Sequence, residues 1–378
     1  MIKKHYLLTP GPTPVPPEVL TELALPILHH RTSEFGEIFS RVSEGLKYIF
    51  KTKDDVYVYA SSGTGAMEAA VVNLLSPGDK ALVVSTGSFG SRWAKIIQAF
   101  GIKPDVISVE WGQPADPSEV EIYLKKNPDT KAVFVTHTET STGVVNDLEK
   151  IGSIVGKTDA VLVVDAISGL GGEPLKKDDW GLDVVVSSSQ KGLMLPPGLS
   201  FISMSEKGWR LAEKSALPKF YWDIKRMKKS AADKETPFTP AVGLFVGLAR
   251  AIDIIKSAGL ENLWSEYLVM AEATRAGMAA LGLELFAKNP CRVVTSVKVP
   301  DGIDGGKIVK TMRLDYGVSI AGGQEHLKGK IFRFAHMGYI SRADILVGFS
   351  ALEMTLERLG YKSFKPGAGV AAVEERLK

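Results

Sequence analysis

Apolar residues in the first two-thirds of this chain cluster into short, nearly unbroken runs, with little strict alternation. Seven of them, at Val56–Ala60, Ala81–Ser85, Val106–Val109, Ala132–Thr136, Val161–Asp165, Val184–Ser188 and Leu199–Met204, predict strands buried on both faces. Segments of helical periodicity lie between most of them, such as Ala66–Leu75 and Ser91–Phe100, and another precedes them at Ser33–Ile49. Strands alternating with helices predict an α/β fold: a mostly parallel, seven-stranded sheet with helices on both faces.

The texture changes near Thr239. Thr239-Pro240 predicts an N-cap and first-turn proline for an apolar helix running to Ile255, with Gly259 as its stop. A second helix over about Glu261–Leu281 follows, and then short strands at Val293–Val299, Val318–Ala321 and Ile331–Ala335. Ser341, with Asp344 three residues on, predicts a capped last helix ending near Gly360. The expected organisation is an N-terminal segment over 1–15, a large domain over 16–240 and a smaller C-terminal α+β domain over 241–378. The lysine-rich stretch Lys225–Lys234 reads as a solvated loop.

Composition narrows the class. The chain has 378 residues, 45% hydrophobic and 24% charged, as in an ordinary soluble protein of two domains. With 46 basic against 43 acidic residues it carries no large field, so nucleic acid is not an expected partner. One cysteine, Cys291, excludes an intramolecular disulfide framework and a multi-cysteine metal site. The N-terminus lacks an apolar signal core and no run approaches a membrane span, which predicts a cytoplasmic protein with no membrane partner.

Candidate chemistry sits at the ends of two runs. Lys191 follows the apolar Val184–Val186 and precedes a Gly/Pro-rich turn, GLMLPPG. A lysine at the mouth of a buried strand is costly to desolvate, so its pKa falls and its amine becomes a usable nucleophile. Asp165 ends the run Val161–Val164 in the same way. Open α/β sheets bind their ligands at strand ends. An amine able to form a Schiff base, with a carboxylate at a neighbouring strand end, is what pyridoxal phosphate requires: the lysine carries the aldehyde and the aspartate keeps the pyridine nitrogen protonated.

A third feature is SSGTGAMEAA at residues 61–70, between a strand and a helix. Gly63 and Gly65 permit a tight turn, Ser62 and Thr64 offer hydroxyls, and the free N–H groups of a helix start favour a phosphate. No Walker sequence is present, and Glu68 stands where a dinucleotide fingerprint needs a small residue.

With these residues in place the chain resembles the class V pyridoxal-phosphate aminotransferases, in particular the alanine–glyoxylate and serine–glyoxylate (serine–pyruvate) branch. The likeness runs through LTPGPTPVP, HRTSEF, SSGTGAMEAA, GSFGSRW, THTETSTGV, VVDAISGLGG, SSSQKGLMLPPG and AGGQEHLKGKIFRFAHMGY, in that order. It implies the fold type I transferase architecture and pyridoxal 5'-phosphate as cofactor. By position, Lys191 matches the Schiff-base lysine, which also moves the proton at Cα, and Asp165 matches the partner of the ring nitrogen. Phe89 matches the aromatic residue stacked on the ring, Ser62, Gly63, Thr64 and Gln190 the phosphate site, and Thr140 the hydroxyl facing the ring oxygen. Thr236 and Thr239 match residues that reach the phosphate from the opposite subunit, which implies a homodimer with shared active sites. Arg333 matches the arginine that grips the substrate α-carboxylate in two parallel hydrogen bonds, and Gly11 a residue lining the substrate pocket.

The resemblance also implies the reaction: the amino group of a small neutral amino acid, serine or alanine, passes to glyoxylate or pyruvate. No second arginine stands in a family-matched position for a side-chain carboxylate, so acidic amino acids are expected to be poor substrates. Ureidoglycine, aminoethylphosphonate and kynurenine-type transaminases share the fold, as do cysteine desulfurases and selenocysteine lyases. The desulfurase loop, here GGQEHLKGK, has no cysteine. A non-catalytic subunit of a larger complex would have to account for the retained lysine, aspartate, glutamine and arginine. His29–His30 lacks metal-ligand spacing, no metal site is expected, and His137, His326 and His336 read as core or supporting residues.

Overall fold

The computed structural model describes residues 4–378. The seven runs form one sheet, in the spatial order Val56–Tyr59, Ser200–Met204, Val184–Ser188, Val161–Asp165, Ala132–Thr136, Ala81–Ser85 and Asp105–Ser108. Only Ser200–Met204 runs against its neighbours; the other pairings are parallel. Successive side chains enter opposite cores, as the two-residue period of a strand requires. Leu82, Val133, Leu162 and Val185 join one cluster, and Val83, Phe134, Val163 and Val186 the other. Both faces are dry because helices cover each. This is why the strands read as solid apolar runs.

The helix after Thr239 spans Val242–Ala258 and begins later than expected. Its N-cap position is Ala241, which lends no side-chain bond, and Thr239 lies exposed outside the helix, so the threonine is not its cap. Phe245, Leu248 and Ile252 of this helix share a core with Phe35, Val42, Leu46 and Ile49 of the helix Ser33–Phe50. The lysine-rich stretch is also corrected: it forms the helix Ile224–Ala232, capped by the Asp223 carboxylate on the Lys225 N–H. Ile224 and Met227 are buried one turn apart while the lysines face solvent. A two-residue apolar stripe is enough to hold a short helix onto a sheet, and it is hidden by the surrounding charge.

A second, three-stranded sheet has Ile331–Ala335 in its centre, between Val294–Lys298 and Ala321–Gly322. The expected strand Val318–Ala321 is split. Val318–Ser319 pairs in parallel with the N-terminal Tyr6–Leu7, and only Ala321–Gly322 joins the sheet. The helices Leu260–Ala280, Gly305–Tyr316, Arg342–Arg358 and Ala368–Leu377 complete this part. The Ser341–Asp344 capping box is formed as predicted. Among the described residues no helix is long and apolar enough to cross a membrane.

Candidate active site

Parallel register sets Thr136, Asp165 and Val186 side by side at the carboxyl end of the large sheet. The Asp165 carboxylate accepts the Ile167 N–H at 2.8 Å. Burial pushes its pKa up to about 7, partly offset by that bond. Lys191 follows the next strand by three residues, is buried, and donates to the carbonyl of Pro10. Burial first, and then the positive charge of Arg333, lower its pKa to about 8 against the pull of Asp165. Two buried titratable groups of opposite charge therefore lie close enough to feel each other's charge, each displaced toward neutrality by burial.

The helix Gly63–Leu74 starts beside them. Ser62 occupies its N-cap position, exposed and without a side-chain capping bond. A Cβ on Gly63 would run into Ile167 and Ser188, so only glycine lets the helix start lie this close to the strand ends. The Thr64 hydroxyl accepts from Arg92 Nη1 at 3.1 Å. Ser188 Oγ and Gln190 Oε1 are buried with no hydrogen-bond partner. Uncapped N–H groups, a guanidinium and two orphaned polar atoms around a glycine cradle make a place for a phosphate. With Lys191 and Asp165 alongside, the residues present fit pyridoxal phosphate.

A cavity of about 660 Å³ opens over Lys191 and is lined by Gly11, Phe89, Thr140 and Arg333 among others. Phe89 is half-buried, with the Arg92 guanidinium 4.7 Å from its ring centroid. Thr140 Oγ1 lies 3.5 Å from Ser168 Oγ. Arg333 is 5% exposed, and its guanidinium donates to the carbonyls of Thr140 and Gly322, with no carboxylate bonded to it. Burial lowers its pKa to about 10, and a cation held only by carbonyls still has its charge to offer to an anion.

Thr236 and Thr239 are not brought to this cavity within the chain. They line a separate small cleft with Tyr59 and Tyr221, where Thr236 donates to the Phe238 carbonyl. His137 and His336 are buried and held neutral, with pKa values pushed down to about 3, and His326 packs against Trp111. Cys291 is fully buried and its thiol is pushed up to about 12, the opposite of an activated nucleophile. Among the described residues no group of three or more His, Cys, Asp or Glu could hold a metal ion.

The profile of the aminotransferase class-V family matches residues 5–347. This chain belongs to the class-V aminotransferases. Membership implies pyridoxal phosphate as the cofactor. Over its whole length this class-V chain is 44% identical to a protein from Synechococcus sp. (strain PCC 6716) named soluble hydrogenase, small subunit, covering 99% of it. It is 35% identical to the L-aspartate–glyoxylate aminotransferase of Paracoccus denitrificans, with 100% of this chain and 97% of that one aligned. With the serine–glyoxylate aminotransferase of Methylorubrum extorquens it shares 34%, over 99% and 96% of the two. The solved ureidoglycine–glyoxylate aminotransferase of Bacillus subtilis superposes with a TM-score of 0.95 at 28% identity, covering 100% of this chain and 98% of that one.

Four residues at the class-V site escape a reading of the sequence. Arg92 looks like a surface position of an amphipathic helix. Glu139 is fully buried and accepts the N–H groups of Phe89, Gly90 and Ser141, tying the Phe89 helix to the Thr140 loop. An acid inside the small-residue run THTETSTGV is the one local signal for it. Lys310 and Arg313 reach the cavity from the helix Gly305–Tyr316, and nothing in their own segment marks them.

Proposed function

We propose that this protein is a pyridoxal-phosphate-dependent aminotransferase that moves the amino group of a small amino acid, serine or alanine, to glyoxylate or pyruvate. The observation that carries this reading is the pairing of Lys191 with Asp165 at adjacent strand ends, beneath a cavity that also contains Arg333. Pyridoxal phosphate bound there supplies an aldehyde to receive the nitrogen and a ring to take up an electron pair. Lys191 would hold it and, as a free amine, would move the proton between the substrate Cα and the cofactor's C4′ carbon. Asp165 keeps the ring nitrogen protonated: a cation at its carboxylate favours the charged form and reverses the effect of burial.

Phe89 would cover one face of the ring, and the Thr140 hydroxyl would face the ring oxygen. Ser62, Gly63, Thr64 and Gln190 hold the phosphate. Arg333 turns its fork to the α-carboxylate and so sets the Cα–H across the ring plane, while Gly11 keeps the roof low over Lys191. Thr236 and the exposed Thr239 complete the phosphate site of a partner subunit, which makes the working unit a cytoplasmic homodimer.

The name of the Synechococcus relative favours a second reading, a subunit of a larger complex without chemistry of its own. Such a subunit gains nothing from a buried lysine and aspartate, whose desolvation destabilises the fold. The test is a panel of L-serine, L-alanine, L-aspartate and L-glutamate against glyoxylate, pyruvate and 2-oxoglutarate. Glycine formed from glyoxylate at the expense of serine or alanine is the expected result. Absence of nitrogen transfer from every donor would defeat the proposal in favour of the subunit reading.

A further inference from the structure

The wall of the cavity over Lys191 carries four cations, Lys191, Lys310, Arg313 and Arg333, and no acidic side chain. The proposed chemistry uses two of them: Lys191 for the amino group and Arg333 for the α-carboxylate. The other two lie on the helix Gly305–Tyr316, where Gly306, Val309, Lys310 and Arg313 share one face at helical spacing and all border the cavity. Neither has an ion-pair partner among the described residues, and the nearby acids are committed elsewhere. Asp304 caps the helix through the N–H groups of Gly306 and Lys307, and Asp315 pairs with Arg358 at 2.9 Å.

Gln324 borders the same space, and its Oε1 is buried without a partner. Its amide adds a neutral hydrogen-bonding group to the cationic wall. The geometry is also anchored. The N-terminal strand Tyr6–Leu7 pairs with Val318–Ser319 just after this helix, and the Gly322 carbonyl three residues on accepts from Arg333. The two pairs of cations therefore belong to one connected wall.

We propose that Lys310 and Arg313, with the Gln324 amide, form a second anion subsite that takes the side-chain carboxylate of a dicarboxylic substrate. An acidic amino acid of four or five carbons, and its 2-oxo acid, is then used alongside the small neutral donors, which departs from the expectation, drawn from family-matched positions alone, that acidic amino acids are poor substrates. This rests on the aminotransferase reading of the cavity, with Arg333 on the α-carboxylate. A second carboxylate entering a cavity without a counter-charge would lose its hydration uncompensated. Lys310 and Arg313, both solvent-exposed and without an ion-pair partner among the described residues, offset part of that penalty from the rim of the wall, and a planar guanidinium binds such a group in two parallel bonds.

The experiment compares kcat/KM of the full-length holoenzyme for L-aspartate and L-alanine, and titrates succinate and propionate calorimetrically as non-reacting probes. Arg313→Ala and Lys310→Ala, singly and together, are set beside Lys307→Ala, which removes a charge from the same helix away from the wall. The double variant should lower the aspartate-to-alanine ratio by about tenfold or more and weaken succinate more than propionate, whereas Arg313→Lys should restore part of the ratio. Lys307→Ala should leave the ratio unchanged. An unchanged ratio in the double variant, or an equal fall in Lys307→Ala, would overturn the subsite and leave only a general charge effect. Turnover of alanine with neither aspartate turnover nor succinate binding would also overturn it while the aminotransferase reading stood. Loss of both turnovers in the wild type would instead bring down that reading.

Discussion

The ammonium of Lys191 donates to the carbonyl oxygen of Pro10, 181 positions earlier in the chain. Thr13 fastens the same crossing by donating from its N–H to the Gln190 carbonyl at 3.1 Å and from its hydroxyl to the Lys191 carbonyl at 2.9 Å. The N-terminal segment is thus a roof over the reactive amine, and Gly11 is its lowest point, with φ +133°.

A Cβ at position 11 would overlap Nζ, Cε and Cδ of Lys191, on a backbone that L-residues rarely adopt. Gly11→Ala should therefore weaken attachment of the cofactor by about tenfold or more, read from visible absorbance during titration with pyridoxal phosphate. Wild-type attachment and turnover in this variant would show that the roof does not constrain the amine.

Asp165→Asn keeps the shape of the strand end and removes its charge. The fold, followed by circular dichroism, should persist, while the turnover rate falls on the order of 10³-fold because the ring nitrogen no longer stays protonated. Near-normal turnover would make Asp165 a structural residue.

Both residues are legible in the sequence for the same reason. A two-sided buried strand is an unbroken apolar run, and the first polar residue after it marks the sheet end. Asp165 stands at such a break, Lys191 comes just after the polar SSSQ that follows the run Val184–Val186, and Arg333 lies within the run IFRFA. Contributions that depend on tertiary pairing are not legible. Lys310 and Arg313 join the site only because Tyr6–Leu7 draws Val318–Ser319, and with it the preceding helix, against the N-terminal segment. Glu139 lies in a run of small polar residues with nothing in the sequence to mark its partners, although its carboxylate links the start of the Phe89 helix to the Thr140 loop through three main-chain N–H groups. Thr239-Pro240 has the chemistry of a helix start and is not one, because the helix begins only at Val242.

Burial of Lys191 as a cation leaves a pH signature in stability. Its folded pKa, about 8, lies below the ordinary 10.5, so the folded state sheds its proton first and the unfolded state binds more protons between these values. The destabilisation is full below pH 8 and disappears as pH rises toward 10.5. Lys191→Met should therefore stabilise the apoprotein by about 3 kcal/mol at pH 7, with the gain shrinking above pH 8. Urea unfolding of both apoproteins at pH 7 and pH 10 measures it; a gain that grows with pH would contradict burial of the charged amine.

Arg333→Lys preserves a positive charge and loses the planar fork. KM for L-alanine should rise by about tenfold or more while the visible absorbance of the bound cofactor is unchanged. An unaltered KM would remove Arg333 from the α-carboxylate.

The central claim is that Lys191 carries the cofactor, and borohydride reduction of the purified holoenzyme followed by peptide mapping tests it most directly. Reduction should fix one pyridoxyl group per chain on the peptide containing Ser187–Gly198, at Lys191. A label on any other lysine, or none on a protein that shows the cofactor's absorbance, would contradict it.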